Sequence, residues 1–204
     1  MNKTELIAHI VSTFATHPIV FTTGYAARIG FCLRPIATNH FYMVGSMGMA
    51  SAIGRGLASA LGAGSRYPVV IDGDGAVLMG IHGLLLEDES GGGILHIIAN
   101  DAAYTSTGAQ AVPSSVGRIC NIARAAGYDY VKEIGQLAEL KESLASADPL
   151  VRQGGSAFLN CHITAGPDPF GRIDVPLVDV ASRFRGFTSD LRQSRITDKI
   201  LIQR

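Results

Sequence analysis

Residues 69–110, VVIDGDGAVLMGIHGLLLEDESGGGILHIIANDAAYTSTGAQ, restrict the possible fold more than any other part of the chain. The apolar run Pro68-Val69-Val70-Ile71 stops abruptly at Asp72-Gly73-Asp74-Gly75. A strand covered on both faces stops in this way when its carboxyl end opens onto a site. The pattern predicts a helix over 76–86, a turn at Gly91-Gly92-Gly93, and a second strand over 94–99 that ends in Asn100-Asp101. The unit is therefore β-α-β, with acidic and amide side chains at two strand tips. In open α/β sheets that edge is where ligands bind.

Asp74 and Asp101 lie 27 positions apart, one at each tip, and a right-handed crossover can bring them together. Paired oxygen donors suit a hard cation, Mg2+ or Ca2+, and Mg2+ commonly shares its shell with a bound phosphate. The flanking glycines let backbone approach such a phosphate closely. The plainer alternative is that Asp72 and Asp74 cap the helix while Asn100-Asp101 forms a turn. Spacing alone leaves both open.

The rest of the chain repeats the alternation of strand and helix. A helix is predicted over 4–14 with Thr4 as its cap, then a strand over 19–21 ending in Thr22-Thr23-Gly24, and a helix over 25–31. A strand over 41–44 leads into Gly45-Ser46-Met47-Gly48 and a small-residue helix over 49–61. Beyond the turn at Val112-Pro113-Ser114-Ser115 come a helix over 117–126, a strand over 128–131, a helix over 134–147 and a last strand over 156–164. On that strand Ala157, Leu159, Cys161 and Ile163 share a face. The sum is an α/β domain, a doubly wound, mostly parallel six-stranded sheet with helices on both faces, over residues 1–187. The segment 166–171 reads as irregular, and 188–204 reads as a basic tail for which a solvated helix is the default.

Composition narrows the function classes. With 17 Lys and Arg against 17 Asp and Glu the formal net charge is zero, which gives no electrostatic reason to invoke nucleic acid or lipid. Charged residues make up only 17% of the chain, a shortage that fits a surface partly covered by another subunit. Cys32, Cys120 and Cys161 form no CxxC pair and read as buried free thiols of a reducing compartment. No run reaches membrane-spanning length and the first residues lack a signal-peptide core, so a cytoplasmic location is expected. His17, His40, His82, His96 and His162 do not fall at ligand spacings, and His96, inside a strand, reads as a satisfied core histidine.

Gly73-Asp74-Gly75, followed about twenty-five residues later by a polar pair, resembles the thiamine diphosphate motif. The resemblance implies a diphosphate-binding domain with thiamine diphosphate and Mg2+ as cofactors. It makes the metal ligands Asp74, Asp101 and the Ala103 carbonyl, with Asn100 as the fallback. Asn100-Asp101 departs from the family's Asn-Asn and adds a negative charge beside the diphosphate. The resemblance places Thr22, Thr23, Gly24, Ser46, Gly73, Gly75, Ala76, Tyr104 and Thr105 around the cofactor, with Ser106 a further candidate contact. Met47 becomes the wedge that bends the cofactor, and the Gly45 carbonyl the acceptor for its aminopyrimidine.

Read in order, Thr22-Thr23-Gly24, Val44-Gly45-Ser46-Met47-Gly48, Ile71-Asp72-Gly73-Asp74-Gly75-Ala76, Ser106-Thr107-Gly108-Ala109-Gln110, Ala126-Gly127-Tyr128 and Gly171-Arg172 look most like the decarboxylases of phosphonopyruvate and sulfopyruvate. This implies a three-carbon 2-oxo acid as substrate and an acetaldehyde derivative plus CO2 as products. Such enzymes need a second domain that grips the pyrimidine and supplies a glutamate, and Glu5, Glu87 and Glu89 sit nowhere that resembles that site. A separate pyrimidine-binding α-type subunit is the implied partner. The rival readings are a scaffold subunit without turnover, a carboligase, and a 2-oxo acid oxidoreductase β subunit. A nicotinamide enzyme is disfavoured because no G-x-G-x-x-G follows the first strand.

Overall fold

The computed structural model describes residues 1–85, 91–113, 118–164 and 170–202, with the side chains of the last helix described to residue 195. Leu86, Glu87, Glu89, Ser114, Ser115, Gly117 and most of 166–171 lie outside the described residues, as do the side chains of Asp198, Lys199 and Arg204. In chain order the elements are α1 (Lys3–Thr13), β1 (Ile19–Phe21), α2 (Tyr25–Leu33), β2 (His40–Tyr42), α3 (Ala50–Leu61), β3 (Val69–Gly73) and α4 (Asp74–Met79). A 3-10 turn (Ile81–Leu85) follows, then β4 (Ile94–Asn100), β5 (Ala103–Tyr104), β6 (Gln110–Ala111), α5 (Ile119–Ala125), β7 (Tyr130–Ile134), α6 (Leu137–Arg152), β8 (Ser156–His162) and α7 (Leu177–Ile202).

Six strands form one sheet in the order β2-β1-β3-β4-β8-β7, and every pairing in it is parallel. β5 and β6 make a separate antiparallel hairpin just past β4. A parallel sheet covered on both faces needs apolar residues on both sides of each strand, and β3 and β4 supply them. Val69, Ile71, Leu95 and Ile97 join one core cluster with Leu6 and Ile10 of α1, Ile29 of α2 and Leu140 of α6. Val70, Ile94 and Ile98 join the other with Ala58 of α3, Val77 of α4, Ala123 of α5 and Phe184 of α7. The doubly wound expectation holds, with an all-parallel main sheet. Winding reverses between β1 and β3, so the crevice at their carboxyl ends is the switch point.

Several local expectations shift for identifiable reasons. The helix expected over 76–86 breaks at Gly80, where a Cβ would lie 1.9 Å from the Gly48 carbonyl oxygen. The backbones of the two loops touch there, and the chain resumes as the 3-10 turn. Strand β2 ends at Tyr42; Gly45 takes φ +75° and Val44 turns outward, 61% exposed. Ile134 closes β7, and α6 starts at Leu137 under a capping box between Gln136 and Glu139, running past Pro149 to bury Val151. Asn2, not Thr4, caps α1, in a reciprocal box with Glu5. Helix α7 runs through residues 187 and 188 without a break and buries Val180 and Phe184. Cys120 and Cys161 are buried, but Cys32 is exposed on α2. Among the described residues no helix is long and apolar enough to cross a membrane.

Candidate functional site

The carboxyl ends of β1, β3 and β4 border a half-open cavity of about 50 Å3. β1 delivers Thr22 and Thr23, the β3–α4 junction delivers Asp72 through Ala76, and the exit of β4 delivers Asp101, Ala103, Tyr104, Thr105 and Ser106. Lys3, Tyr25 and Met47 complete the wall. Parallel pairing of β3 with β4, Gly73 opposite Ala99, aligns the two acidic tips across one register step.

Three buried side-chain oxygens in this wall have no hydrogen-bond partner: Thr22 Oγ1, Asp72 Oδ2 and Asp74 Oδ2. Buried polar atoms are normally paired, and an orphan costs about 1–3 kcal/mol. Asp72 Oδ2 faces His96, so the two on Thr22 and Asp74 are the ones that point to a guest in the cavity. Asp74 is 2% exposed, and burial, with the Asp101 carboxylate adding to it, pushes its pKa up to about 6. A cation would reverse that shift.

Asp101 is held differently. Its Oδ2 accepts from Lys3 Nζ at 2.9 Å and from Thr105 Oγ1 at 2.6 Å. Lys3 arrives because Asn2 bridges Thr164, just past β8, which ties the start of α1 to the carboxyl edge of the sheet. No sequence pattern marked Lys3; only this tertiary bridge places it. Asn100 does not line the cavity. Its Nδ2 donates to Asn160 Oδ1 and its Oδ1 accepts from the Ala102 amide, each at 3.1 Å. That second bond holds Ala102 at φ +57°, the turn that presents Asp101 and Ala103 to the cavity.

Gly75 faces Tyr104 so closely that a Cβ would fall 2.3 Å from the ring. Beneath the cavity runs a buried polar column. Asp72 Oδ1 accepts from the Gly73 amide at 3.0 Å, while Oδ2 faces His96 Nε2 at 3.4 Å without completing a hydrogen bond. His96 Nδ1 meets the Tyr128 hydroxyl at 3.2 Å, and the Arg55 guanidinium lies 4.8 Å from the Tyr128 ring centroid. His96 is thus a core residue, as expected, but only half satisfied, and it supports Asp72. His40 is also internal, bonded to the Tyr42 hydroxyl, and does not reach the site mouth.

A second cleft, about 320 Å3, opens beside the first and shares Thr23, Met47 and Ser106 with it. Gly24 lines only this cleft, whereas Gly45 and Ser46 line neither. The Gly45 amide donates to Thr23 Oγ1 at 3.2 Å, and Ser46 sits at φ +50°. The two residues therefore form the turn that carries Met47.

The residues fit a metal-bound diphosphate. Among the described residues no three His, Cys, Asp or Glu side chains gather as a self-sufficient metal cage. Asp74 and Asp101 on one cavity are the kind of partial oxygen-donor set that Mg2+ completes with phosphate and water. The model of the "Thiamine pyrophosphate enzyme, C-terminal TPP binding domain" matches residues 22–161, which contain both strand tips. The chain belongs to the thiamine pyrophosphate enzyme family. Thiamine pyrophosphate is the compound also called thiamine diphosphate.

Within this family, the chain is 35% identical over 173 residues to phosphonopyruvate decarboxylase of Streptomyces viridochromogenes, covering 84% of this chain and 42% of that enzyme. It is 30% identical over 200 residues to the sulfopyruvate decarboxylase subunit beta of Methanothermobacter thermautotrophicus, covering 93% of this chain and 99% of that subunit. It is 38% identical over 134 residues to the corresponding subunit of Methanocaldococcus jannaschii, covering 63% and 68%. The chain thus spans less than half of the phosphonopyruvate enzyme and nearly all of the first beta subunit.

Proposed function

We propose that this chain is the diphosphate- and Mg2+-binding subunit of a two-component thiamine diphosphate-dependent 2-oxo acid decarboxylase. Its substrate is phosphonopyruvate or sulfopyruvate, its products the acetaldehyde derivative and CO2, and its setting the cytoplasm. The observation that carries this reading is the pair of unpartnered oxygens on Thr22 and Asp74 in the wall of one cavity at the switch point. Asp74, Asp101 and the Ala103 carbonyl hold the metal. Thr22, Thr23, Thr105 and the backbone from Gly73 to Ala76 take the diphosphate, while Gly24, Ser46 and Tyr104 shape its surroundings. Thiamine diphosphate, when bound, supplies the carbon nucleophile and the electron sink for decarboxylation. Met47, on the wall between cavity and cleft, would be the wedge under the bound cofactor, and the Gly45 carbonyl, in the turn that carries Met47, would be the acceptor for its aminopyrimidine.

Two observations support a separate pyrimidine-binding subunit. Among the described residues no glutamate lines either cavity, and Glu5 is committed to capping α1. Apolar side chains also stand exposed beside the site: Val44 at 61% on the cleft wall, and Met49 and Met79 next to the Gly48–Gly80 contact. Exposed apolar groups gathered at one edge suit a protein partner. A scaffold without turnover is the second reading, favoured by the Lys3–Asp101 pair, which already places a cation in the cavity.

The test is reconstitution with the pyrimidine-binding subunit. With Mg2+ and thiamine diphosphate present, CO2 release from sulfopyruvate or phosphonopyruvate is expected only when both subunits are mixed. Full turnover by this chain alone sinks the two-component reading. Cofactor binding by the complex without CO2 release selects the scaffold.

A further inference from the structure

The cleft beside the cofactor cavity has chemistry of the opposite sign. Its charged lining residues are Arg28 and Arg172, and no acidic side chain faces it among the described residues. Neither guanidinium makes an ion pair with a described carboxylate. Thr23, Ser106 and Thr107 also line the cleft, and Met47 supplies an apolar wall.

The Arg28 side chain is held by a ring, and the backbone that carries Arg172 is anchored. The Arg28 guanidinium lies 5.1 Å from the ring centroid of Tyr25, which itself lines the cofactor cavity, so Arg28 is stacked on the partition between the two spaces. Arg172 comes from the segment between β8 and α7, where Phe170, Ile173 and Val175 pack on the core and anchor the backbone on either side of it. Unpaired guanidiniums recognise tetrahedral oxyanions well. Their forked donors match the oxygens two at a time, and stacking on Tyr25 leaves Arg28 less entropy to lose. The cleft volume, about 320 Å3, lies in the range of small-ligand sites.

We propose that Arg28 and Arg172 form the subsite for the terminal oxyanion of the substrate, the sulfonate or phosphonate on C3. The 2-oxo acid end then lies at the wall shared by Thr23 and Met47, next to the cofactor. This rests on the decarboxylase reading above and assigns the group that sets its selectivity. A substrate lacking the C3 oxyanion leaves two guanidiniums without a counter-charge, so the cleft disfavours plain 2-oxo acids.

The test uses the full chain loaded with Mg2+ and thiamine diphosphate, titrated calorimetrically with sulfoacetate and, separately, with phosphonoacetate. Wild type is expected to bind at least one of them, and the stronger of the two identifies the natural head group. R28Q and R172Q are each expected to weaken that binding about tenfold or more, the loss for one charged hydrogen-bonding group. R28K is expected to recover part of it, because charge returns without the fork. Mg2+–thiamine diphosphate binding and the melting temperature serve as controls and are expected to stay unchanged. Unchanged probe binding in either glutamine variant overturns the subsite, as does failure of wild type to bind either probe. Loss of cofactor binding by wild type itself, with probe binding retained, instead breaks the reading on which the subsite rests.

Discussion

The two spaces at the carboxyl edge differ in charge, in backbone and in how the chain builds them. The cofactor cavity is lined by Asp72, Asp74 and Asp101 with a single lysine, and two of those carboxylates keep an unpartnered oxygen. The neighbouring cleft is lined by two arginines and no acid. The first is assembled from strand tips and tight turns, including Ala102 at φ +57°. The second draws on a helix face and an anchored segment from the far end of the chain. Only Thr23, Met47 and Ser106 belong to both. Opposite fields side by side would let one edge hold the proposed cation–diphosphate and the proposed anionic acid without either guest displacing the other. Changes at one end should therefore leave binding at the other intact.

The largest break in that pattern is expected from Asp74→Asn. Loss of the ionised ligand should weaken Mg2+–thiamine diphosphate binding by on the order of 100-fold, about 3 kcal/mol, while sulfoacetate or phosphonoacetate binding persists. Free of ligand, the same variant should be the more stable protein at pH 7. The folded pKa of Asp74, about 6, lies above its ordinary 3.8, so ionising this group works against folding. The penalty, up to about 3 kcal/mol, is complete above pH 6 and fades as pH falls through 6 toward 3.8. Melting curves of wild type and D74N should converge near pH 4 and separate at pH 7. Cofactor affinity of wild type should run the other way, rising with pH through about 6 as the carboxylate ionises. A D74N protein that binds the cofactor like wild type removes Asp74 from the metal shell.

Lys3→Met sharpens the comparison by removing the one cation the acidic end carries. Its ion pair with Asp101 is largely buried, at 15% and 4% side-chain exposure. Breaking it should cost about 2 kcal/mol in chemical denaturation of the ligand-free chain. Adding Asp101→Asn to the variant should recover most of that loss, because the stranded charge is gone. Binding of Mg2+ alone should instead tighten several-fold in K3M, since the ammonium no longer offsets the Asp101 charge. A stability loss without this tighter metal binding makes Lys3 purely structural.

Sequence legibility divides along the same line. The acidic end was readable because a β-α-β unit is local: an apolar run, a Gly-Asp-Gly stop and a second run place two tips side by side before any distant contact is known. What that pattern could not contain is the Gly48–Gly80 backbone contact that cuts α4 short, or the outward turn of Val44 behind Gly45. Lys3 was unreadable because only the Asn2–Thr164 bridge brings α1 to the site. The arginine end was unreadable as a pair: Arg28 and Arg172 are 144 positions apart, and although Gly171-Arg172 belongs to the family resemblance, nothing in the sequence joins it to Arg28. Pairing them requires the sheet order that returns β8 beside β4.

The smallest effect concerns the backbone strain stored at the acidic end. Ala102 holds a left-handed conformation between Asp101 and Ala103, stabilised by the Asn100 Oδ1 bond to its amide. An alanine there is disfavoured by about 1 kcal/mol because Cβ crowds the following carbonyl. Its side chain is exposed, so replacement by glycine removes no packing. Ala102→Gly should raise stability by up to about 1 kcal/mol, less the added freedom of the unfolded chain. The gain should show as a small rise in denaturation midpoint at unchanged slope. Metal binding should fall slightly, because a glycine fixes the Asp101 carboxylate and the Ala103 carbonyl less firmly. If A102G lowers stability instead, the turn is held by more than the Asn100 bond, and the strain at the acidic end has been placed on the wrong residue.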